Sequence, residues 1–234
     1  MGDIHPRVVA IYSSEANIPS RLQRIRHDEN TSQAAREFVE HLSDHVVTRK
    51  RNIEAHPLPD DRSLIGQGLL WAGTPGSGKT HEAAATLAEI LNRYGSSNRV
   101  YFVAYADYIE QRKRQWAMGD KPGMEGRWAQ IQCMVEHVEE GQVLLMDDVG
   151  KEMDGASRFA ANELERLLRK RHREGLPTLV TTNLKPKEWA DTFDSESLGD
   201  FIKEGFVVIP MTGPSRRGAR SEHSPSSSSS SPHG

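Results

Sequence analysis

The residues whose types and spacing could do chemistry begin at Gly73-Thr74-Pro75-Gly76-Ser77-Gly78-Lys79-Thr80. This Gly-x-x-x-x-Gly-Lys-Thr pattern follows the apolar run Gly68-Leu69-Leu70-Trp71-Ala72 and opens a helix-favouring segment, Lys79 to Tyr94. Strand, loop and helix in that order are the setting a phosphate-binding loop needs. The glycines let backbone N–H groups turn inward around an anion with no Cβ in the way. The helix start adds unpaired N–H groups and a positive dipole end. Lys79 reaches the β- and γ-phosphates as a point charge, and the Thr80 hydroxyl is a ligand for Mg²⁺. A nucleoside triphosphate is the expected occupant. Its candidate contacts are Gly73, Thr74, Pro75, Gly76, Ser77, Gly78, Lys79, Thr80 and the adjoining His81.

A second acidic element completes such a site. Val143-Leu144-Leu145-Met146 is a continuous apolar run that ends in Asp147-Asp148. Asp147 is placed to hold Mg²⁺, and Asp148 to align and polarise the attacking water. Val180-Thr181-Thr182-Asn183 closes another run with a polar triplet. Strand ends in open α/β sheets face the ligand crevice, so Asn183 is a candidate for the γ-phosphate or the water; a simple turn-forming asparagine is the alternative.

These groups need elements to hold them. Apolar residues Ala34, Phe38, Leu42 and Val46 recur every four positions and predict an amphipathic helix over 31–53, stopped by Pro57 and Pro59. His41 and His45, one turn apart, read as solvated residues on that helix. Strands are expected at 68–72, 99–104, 143–146, 177–182 and 206–209. Helices are expected at 79–94, 105–117, 127–138, 156–173, 186–191 and 195–204. Strands alternating with helices make a three-layer α/β domain with a parallel sheet. The organisation read from this is an N-terminal segment over 1–60, a core over 61–212 and a disordered Ser-rich tail over 213–234.

Composition excludes other classes. The net charge of −3, from 30 Lys and Arg against 33 Asp and Glu, leaves any nucleic-acid contact to a local basic patch. The single Cys133 excludes an internal disulfide. No apolar run is long enough to span a bilayer, and no signal-peptide pattern opens the chain, so a soluble, cytoplasmic protein is expected.

Together, Gly73–Thr80, Leu144–Asp148 and Thr181–Asn183 resemble the AAA+ ATPases. More narrowly, the chain is similar to bacterial and phage replicative-helicase loaders and the related IstB-type transposition ATPases. That resemblance rests on Ile18-Pro19-Ser20-Arg21, Gly78-Lys79-Thr80-His81, Leu145-Met146-Asp147-Asp148-Val149-Gly150, Pro177 to Leu184, and Gly213-Pro214-Ser215-Arg216. It implies a P-loop AAA+ core with five parallel strands in the order 5-1-4-3-2. It also implies Mg²⁺-dependent ATP hydrolysis, assembly into an open ring or spiral, single-stranded DNA binding, and either a hexameric replicative helicase or a transposase as partner. Arg216, with Arg217, has two readings: a second sensor on the phosphates, or the start of the basic tail.

Three departures from the family pattern stand out. Asp148 replaces the commoner glutamate, one methylene longer. Phe201 and Lys203 stand where relatives carry an arginine that completes a neighbour's site, and lysine lacks the planar fork that suits phosphate. The stretch ahead of Ile18 is too short for the helicase-gripping domain that loaders carry. The first two favour a rival reading, a nucleotide-gated adaptor with little turnover.

For DNA, Tyr108, Arg112, Lys113, Arg114 and Trp116 interleave aromatic and basic residues as single-strand binding uses them; inward packing of Tyr108 and Trp116 is the rival. A second cluster, Arg169, Lys170, Arg171 and Arg173, reads as a solvated face or subunit contact.

Overall fold

Five apolar segments pair side by side into one parallel sheet in a computed structural model that describes residues 17–22, 24–46, 64–94, 100–118, 125–150 and 158–213. The strands are β1 (Gly68–Gly73), β2 (Val100–Ala104), β3 (Val143–Val149), β4 (Thr178–Thr182) and β5 (Phe206–Met211). Their order is β2-β3-β4-β1-β5, the 5-1-4-3-2 arrangement expected for an AAA+ core. Gly68 is dictated by crowding: a Cβ there would lie 2.0 Å from the Thr178 carbonyl oxygen.

Period-two alternation sorts the strand side chains into two cores. Leu70, Tyr101, Val103, Leu144, Met146 and Val180 point one way. Leu69, Trp71, Val100, Phe102, Leu145 and Leu179 point the other. The second face is covered by α1 (Gln33–Glu40) and α3 (Lys79–Tyr94), through Phe38, Val39, Ala83, Leu87 and Ile90. The first is covered by α4 (Tyr105–Met118), α5 (Glu125–Glu140), α6 (Arg158–Arg173), α7 (Trp189–Phe193) and α8 (Glu196–Gly205). Among the described residues no helix is long and apolar enough to cross a membrane.

The N-terminal helix is shorter than its spacing predicts. Ser32 caps α1, accepting from the Ala35 N–H, but the helix ends at His41, and only the four-residue α2 (Leu42–His45) follows. The turn lets the His45 carbonyl accept from the Gly66 N–H, which ties this segment to the approach to β1. His45 is buried against Phe38, with ring centroids 4.6 Å apart, and is not the solvated residue its spacing predicts. Residues 47–53 of the expected helix and the Ser-rich tail lie outside the described residues.

Candidate nucleotide site

Chain order creates the crevice. From β1 the chain crosses to β2 at the far edge, returns through β3 and β4, and then places β5 on the other side of β1. Ligands bind at such switch points, beyond the carboxyl ends of the strands. The Gly73–Thr80 loop leaves β1 there.

Its backbone takes the form the glycines were expected to permit. Gly76 and Gly78 have φ values of 83° and 102°, in the region L side chains avoid. The Ser77 N–H donates to the Thr74 carbonyl at 3.3 Å, tightening the turn. The first-turn N–H groups of α3 have no intrahelical acceptor, which leaves donors for an anion. Lys79 is 5% exposed, and its ammonium donates to the carbonyls of Gly73 at 2.9 Å and Thr74 at 2.8 Å. The charge is thereby held inside the loop's own curve. Among the described residues Ser77 Oγ has no hydrogen-bond partner, a buried orphaned polar atom in the loop wall.

The acidic strand end meets the loop directly. Thr80 Oγ1 donates to Asp147 Oδ1 at 2.8 Å, and Thr181 Oγ1 donates to the same oxygen at 2.6 Å. Burial pushes the Asp147 carboxyl above its ordinary range; hydrogen bonds from Thr181 and Thr80 pull it back, the Asp148 charge adds to the rise, and Arg21 opposes it. A β-bulge falls at this point: Met146 pairs with Val180, but Val149 is the next to pair, with Thr182. Asp148 occupies the bulge at φ 57°, a left-handed conformation that aspartate tolerates better than most residues, and its N–H donates to Thr181 Oγ1 at 2.9 Å. The bulge thus re-aims Asp148 while Asp147 keeps its place in the pleat. Asn183 follows β4 in a bend and is exposed.

These residues fit a magnesium nucleotide. Mg²⁺ prefers hard oxygens and takes one or two protein ligands beside phosphate oxygens and waters. The Thr80 hydroxyl and Asp147 carboxylate are such a pair. Beside the loop lies a cavity of about 530 Å³, walled by Asp28, Thr31, Ser77, His81, Ile209 and Met211, among others. Its size and mixed lining suit the base and sugar of a nucleotide. The segment that forms its outer wall is fastened by Glu82, whose Oε1 accepts from the Ser32 N–H at 3.1 Å and Trp71 Nε1 at 3.0 Å. His27 adds a 3.0 Å hydrogen bond with Thr86.

Sequence reasoning passed over several of these. Thr181, the organiser of both aspartates, was visible only as part of a polar triplet. The cavity wall from residues 26–32 and 209–213 has no motif. Arg216 and Arg217 lie outside the described residues.

The family model described as IstB-like ATP binding protein matches residues 62–217, about two thirds of the 234 residues. The chain belongs to that family. Solved structures share its fold. The DnaC helicase loader superposes with a TM-score of 0.60 at 22% identity, over 83% of this chain and 100% of the loader's. DnaI gives 0.57 at 19% identity, over 84% and 95%. The replication initiator DnaA bound to AMPPCP and single-stranded DNA gives 0.56 at 15% identity, over 85% of this chain and 52% of DnaA. No curated protein matches the chain.

Against this family frame, two expectations for surface residues change. Tyr108 is fully buried, and its hydroxyl donates to Glu163 at 2.8 Å, so it offers no ring face for a base. Arg112 donates to the same carboxylate at 2.7 Å and to Gln115, which takes its guanidinium out of a DNA contact. Trp116 is the opposite case: it is 83% exposed, with Phe159 beside it at 6.3 Å. Lys113 and Arg114 are exposed nearby, Arg114 paired with Glu110.

The basic cluster on α6 is solvated only in part: Arg173 is exposed, while Arg169 and Lys170 are half-buried. Arg171 is 0% exposed; Arg169 lies over the Phe201 ring at 4.9 Å, and Lys170 pairs with Glu139 at 2.6 Å. Phe201 itself is core, edge-on to His172 and Phe206, whereas Lys203 is exposed and pairs with Asp200 at 2.8 Å.

Proposed function

We propose that this chain is a Mg²⁺-dependent ATPase that acts on single-stranded DNA and delivers a hexameric replicative helicase to it, working as a ring or spiral of copies. The observation that carries the nucleotide half is the Thr80–Asp147 hydrogen bond beside the enclosed Lys79. Lys79 and Thr80 open α3, and Asp147 from β3 meets them there, as a metal and phosphate site would need. The DNA half is supported by the exposed Trp116 with Lys113 and Arg114. The helicase is supported by the likeness in fold to the DnaC helicase loader, over 100% of that solved chain.

In this reading the loop amides and Lys79 hold the β- and γ-phosphates, and His81 borders the base end. Thr80 and Asp147 hold Mg²⁺. Bound there, Mg²⁺ would supply positive charge against the negative charge that develops as the β–γ bond breaks. Asp148 accepts a hydrogen bond from the attacking water and fixes its line of approach. Asn183 donates to the γ-phosphate. The products are ADP and inorganic phosphate.

The test is steady-state ATP turnover with and without single-stranded DNA, together with capture of purified hexameric helicase against capture of a transposase. Turnover with helicase capture supports the reading; capture of the transposase alone assigns the chain to target selection in transposition. A second reading, a nucleotide-gated adaptor, is favoured by the burial of Phe201 and the pairing of Lys203 with Asp200. Tight ATP binding with near-zero turnover in the assembled state selects it.

A further inference from the structure

One cation beside the acidic strand end has no part in the scheme above. Arg21 lies in a turn closed by the Leu22 N–H donating to the Pro19 carbonyl at 2.7 Å. The turn is pinned from both sides. Ile18 and Leu22 are 5% and 8% exposed and join the core that holds Trp71, Ala83 and Phe102. Asn17 Nδ2 donates to the Phe102 carbonyl at 2.9 Å.

Register fixes where this puts the turn. Phe102 pairs with Leu145 and Ala104 with Asp147, so the anchor is two residues short of the metal-binding carboxylate on the adjoining strand. Ile18 and Leu22 face the core under α3, the helix that carries Lys79 and Thr80 at its start. Arg21 therefore sits in a turn beside β2, on the face of the sheet covered by α3, the helix that opens with Lys79 and Thr80. It is exposed, and among the described residues no hydrogen bond or ion pair engages its guanidinium. Its charge is nevertheless close enough to act on Asp147.

We propose that Arg21 is an in-chain cation for the γ-phosphate: its guanidinium takes the outer phosphate oxygens of a triphosphate bound at Lys79 and Thr80. The proposal rests on the reading that the site hydrolyses ATP. A guanidinium presents donors in a fixed fork that matches phosphate oxygens and never loses its proton. Asp147 takes both threonine hydroxyls on Oδ1, and among the described residues no ion pair joins Arg21 to it. A bound triphosphate brings the negative charge that this position lacks.

The experiment uses the full chain as wild type, Arg21→Ala and Arg21→Lys, with affinities for AMPPNP and ADP measured beside single-turnover hydrolysis. Arg21→Ala is expected to slow hydrolysis by roughly 10²-fold, weaken AMPPNP about tenfold and leave ADP unchanged, with Arg21→Lys recovering part of each. An unaltered AMPPNP-to-ADP ratio overturns the proposal, whether both affinities hold or both fall together. Should the wild type bind ATP without turning it over, hydrolysis fails as a reading while that ratio still decides Arg21. Arg21→Gln, close in size, serves the same comparison if Arg21→Ala melts early.

Discussion

Thr80 Oγ1 lies 2.8 Å from Asp147 Oδ1 and joins the first turn of α3 to the end of β3 across 67 positions of sequence. A hydroxyl can donate its proton to a carboxylate while its lone pair faces a cation. In the proposed reading these two groups share a metal, and Thr181 holds the carboxylate through the same oxygen.

That arrangement makes Thr80 the most direct test of the metal role. Thr80→Ala should lower kcat/KM for Mg²⁺·ATP by about 100-fold, because a ligand and a positioning hydrogen bond are lost together. Thr80→Ser keeps both and should stay within a few-fold of wild type. ADP affinity without Mg²⁺ should be unchanged in either variant. A coupled phosphate-release assay across a Mg²⁺ titration reads the difference; an Ala variant with wild-type Mg²⁺ response removes Thr80 from the site.

The α4–α6 interface should carry the acid sensitivity of the fold. Glu163 accepts from Tyr108, Arg112 and Arg166, and Glu139 accepts from Arg166 and Lys170. Burial raises both carboxyls, but those hydrogen bonds outweigh it and hold each below its ordinary value of 4.5. The stability they confer is complete above pH 4.5 and is lost as pH falls through their folded values. Asp147 runs the other way: its raised carboxyl disfavours the fold once pH exceeds its folded value and ceases to do so below 3.8. Glu163→Gln should cost about 3 kcal/mol at pH 7 by leaving buried donors without their charge partner, and should flatten the acid limb below pH 4.5. Urea unfolding at pH 7 and pH 4 checks this, and equal slopes for the two proteins would count against it.

Why Glu163 was not legible, while the phosphate loop was, is a matter of sequence distance. The loop spells its chemistry in eight adjacent residues, and strand alternation sorted Leu69 and Trp71 from Leu70 without help. Tyr108 and Arg112 look the same in sequence whether they face DNA or a carboxylate, because Glu163 comes 55 residues after Tyr108. The run Arg169-Lys170-Arg171 reads as solvated for the same reason: the carbonyls that take Arg171 belong to the end of α5, the turn into β3 and Pro177 ahead of β4. Early termination of α1 at His41 was hidden too, since the four-residue spacing of Phe38, Leu42 and Val46 continues past the break.

If the proposed DNA contact is at Trp116, that residue and Tyr108 separate DNA binding from folding. Trp116 is 83% exposed and Tyr108 is 0% exposed on the same helix. Stacking of one base on an aromatic ring is worth about 1–3 kcal/mol, so Trp116→Ala should weaken single-stranded DNA by roughly 5- to 150-fold with no change in melting temperature. Tyr108→Phe should do the reverse, losing about 1 kcal/mol of stability with DNA affinity intact. Fluorescence anisotropy with a labelled oligonucleotide at fixed salt reads the first, and a melting curve the second. A Trp116→Ala variant that binds DNA as wild type does would move the DNA interface elsewhere on the surface.

Arg171 should prove the least replaceable cation in the chain. Its guanidinium is fully buried and donates from Nε to Thr178 Oγ1 at 2.9 Å, from one amino group to the carbonyls of Val138 and Gly141 at 2.9 Å, and from the other to Pro177 at 3.0 Å. Those acceptors come from the end of α5, the turn into β3 and the start of β4, so one side chain closes the end of the sheet opposite the nucleotide. Burial pulls its proton affinity down, to about 9, with Glu174 acting against the fall. Arg171→Met should destabilise by about 3–5 kcal/mol, because several buried carbonyls lose a charged donor at once. Arg171→Lys should fare little better: a single ammonium cannot reach acceptors on both sides of a planar fork. Urea midpoints for the three proteins decide the matter. A lysine variant of wild-type stability would mean that charge, and not the fork, holds these strands in place.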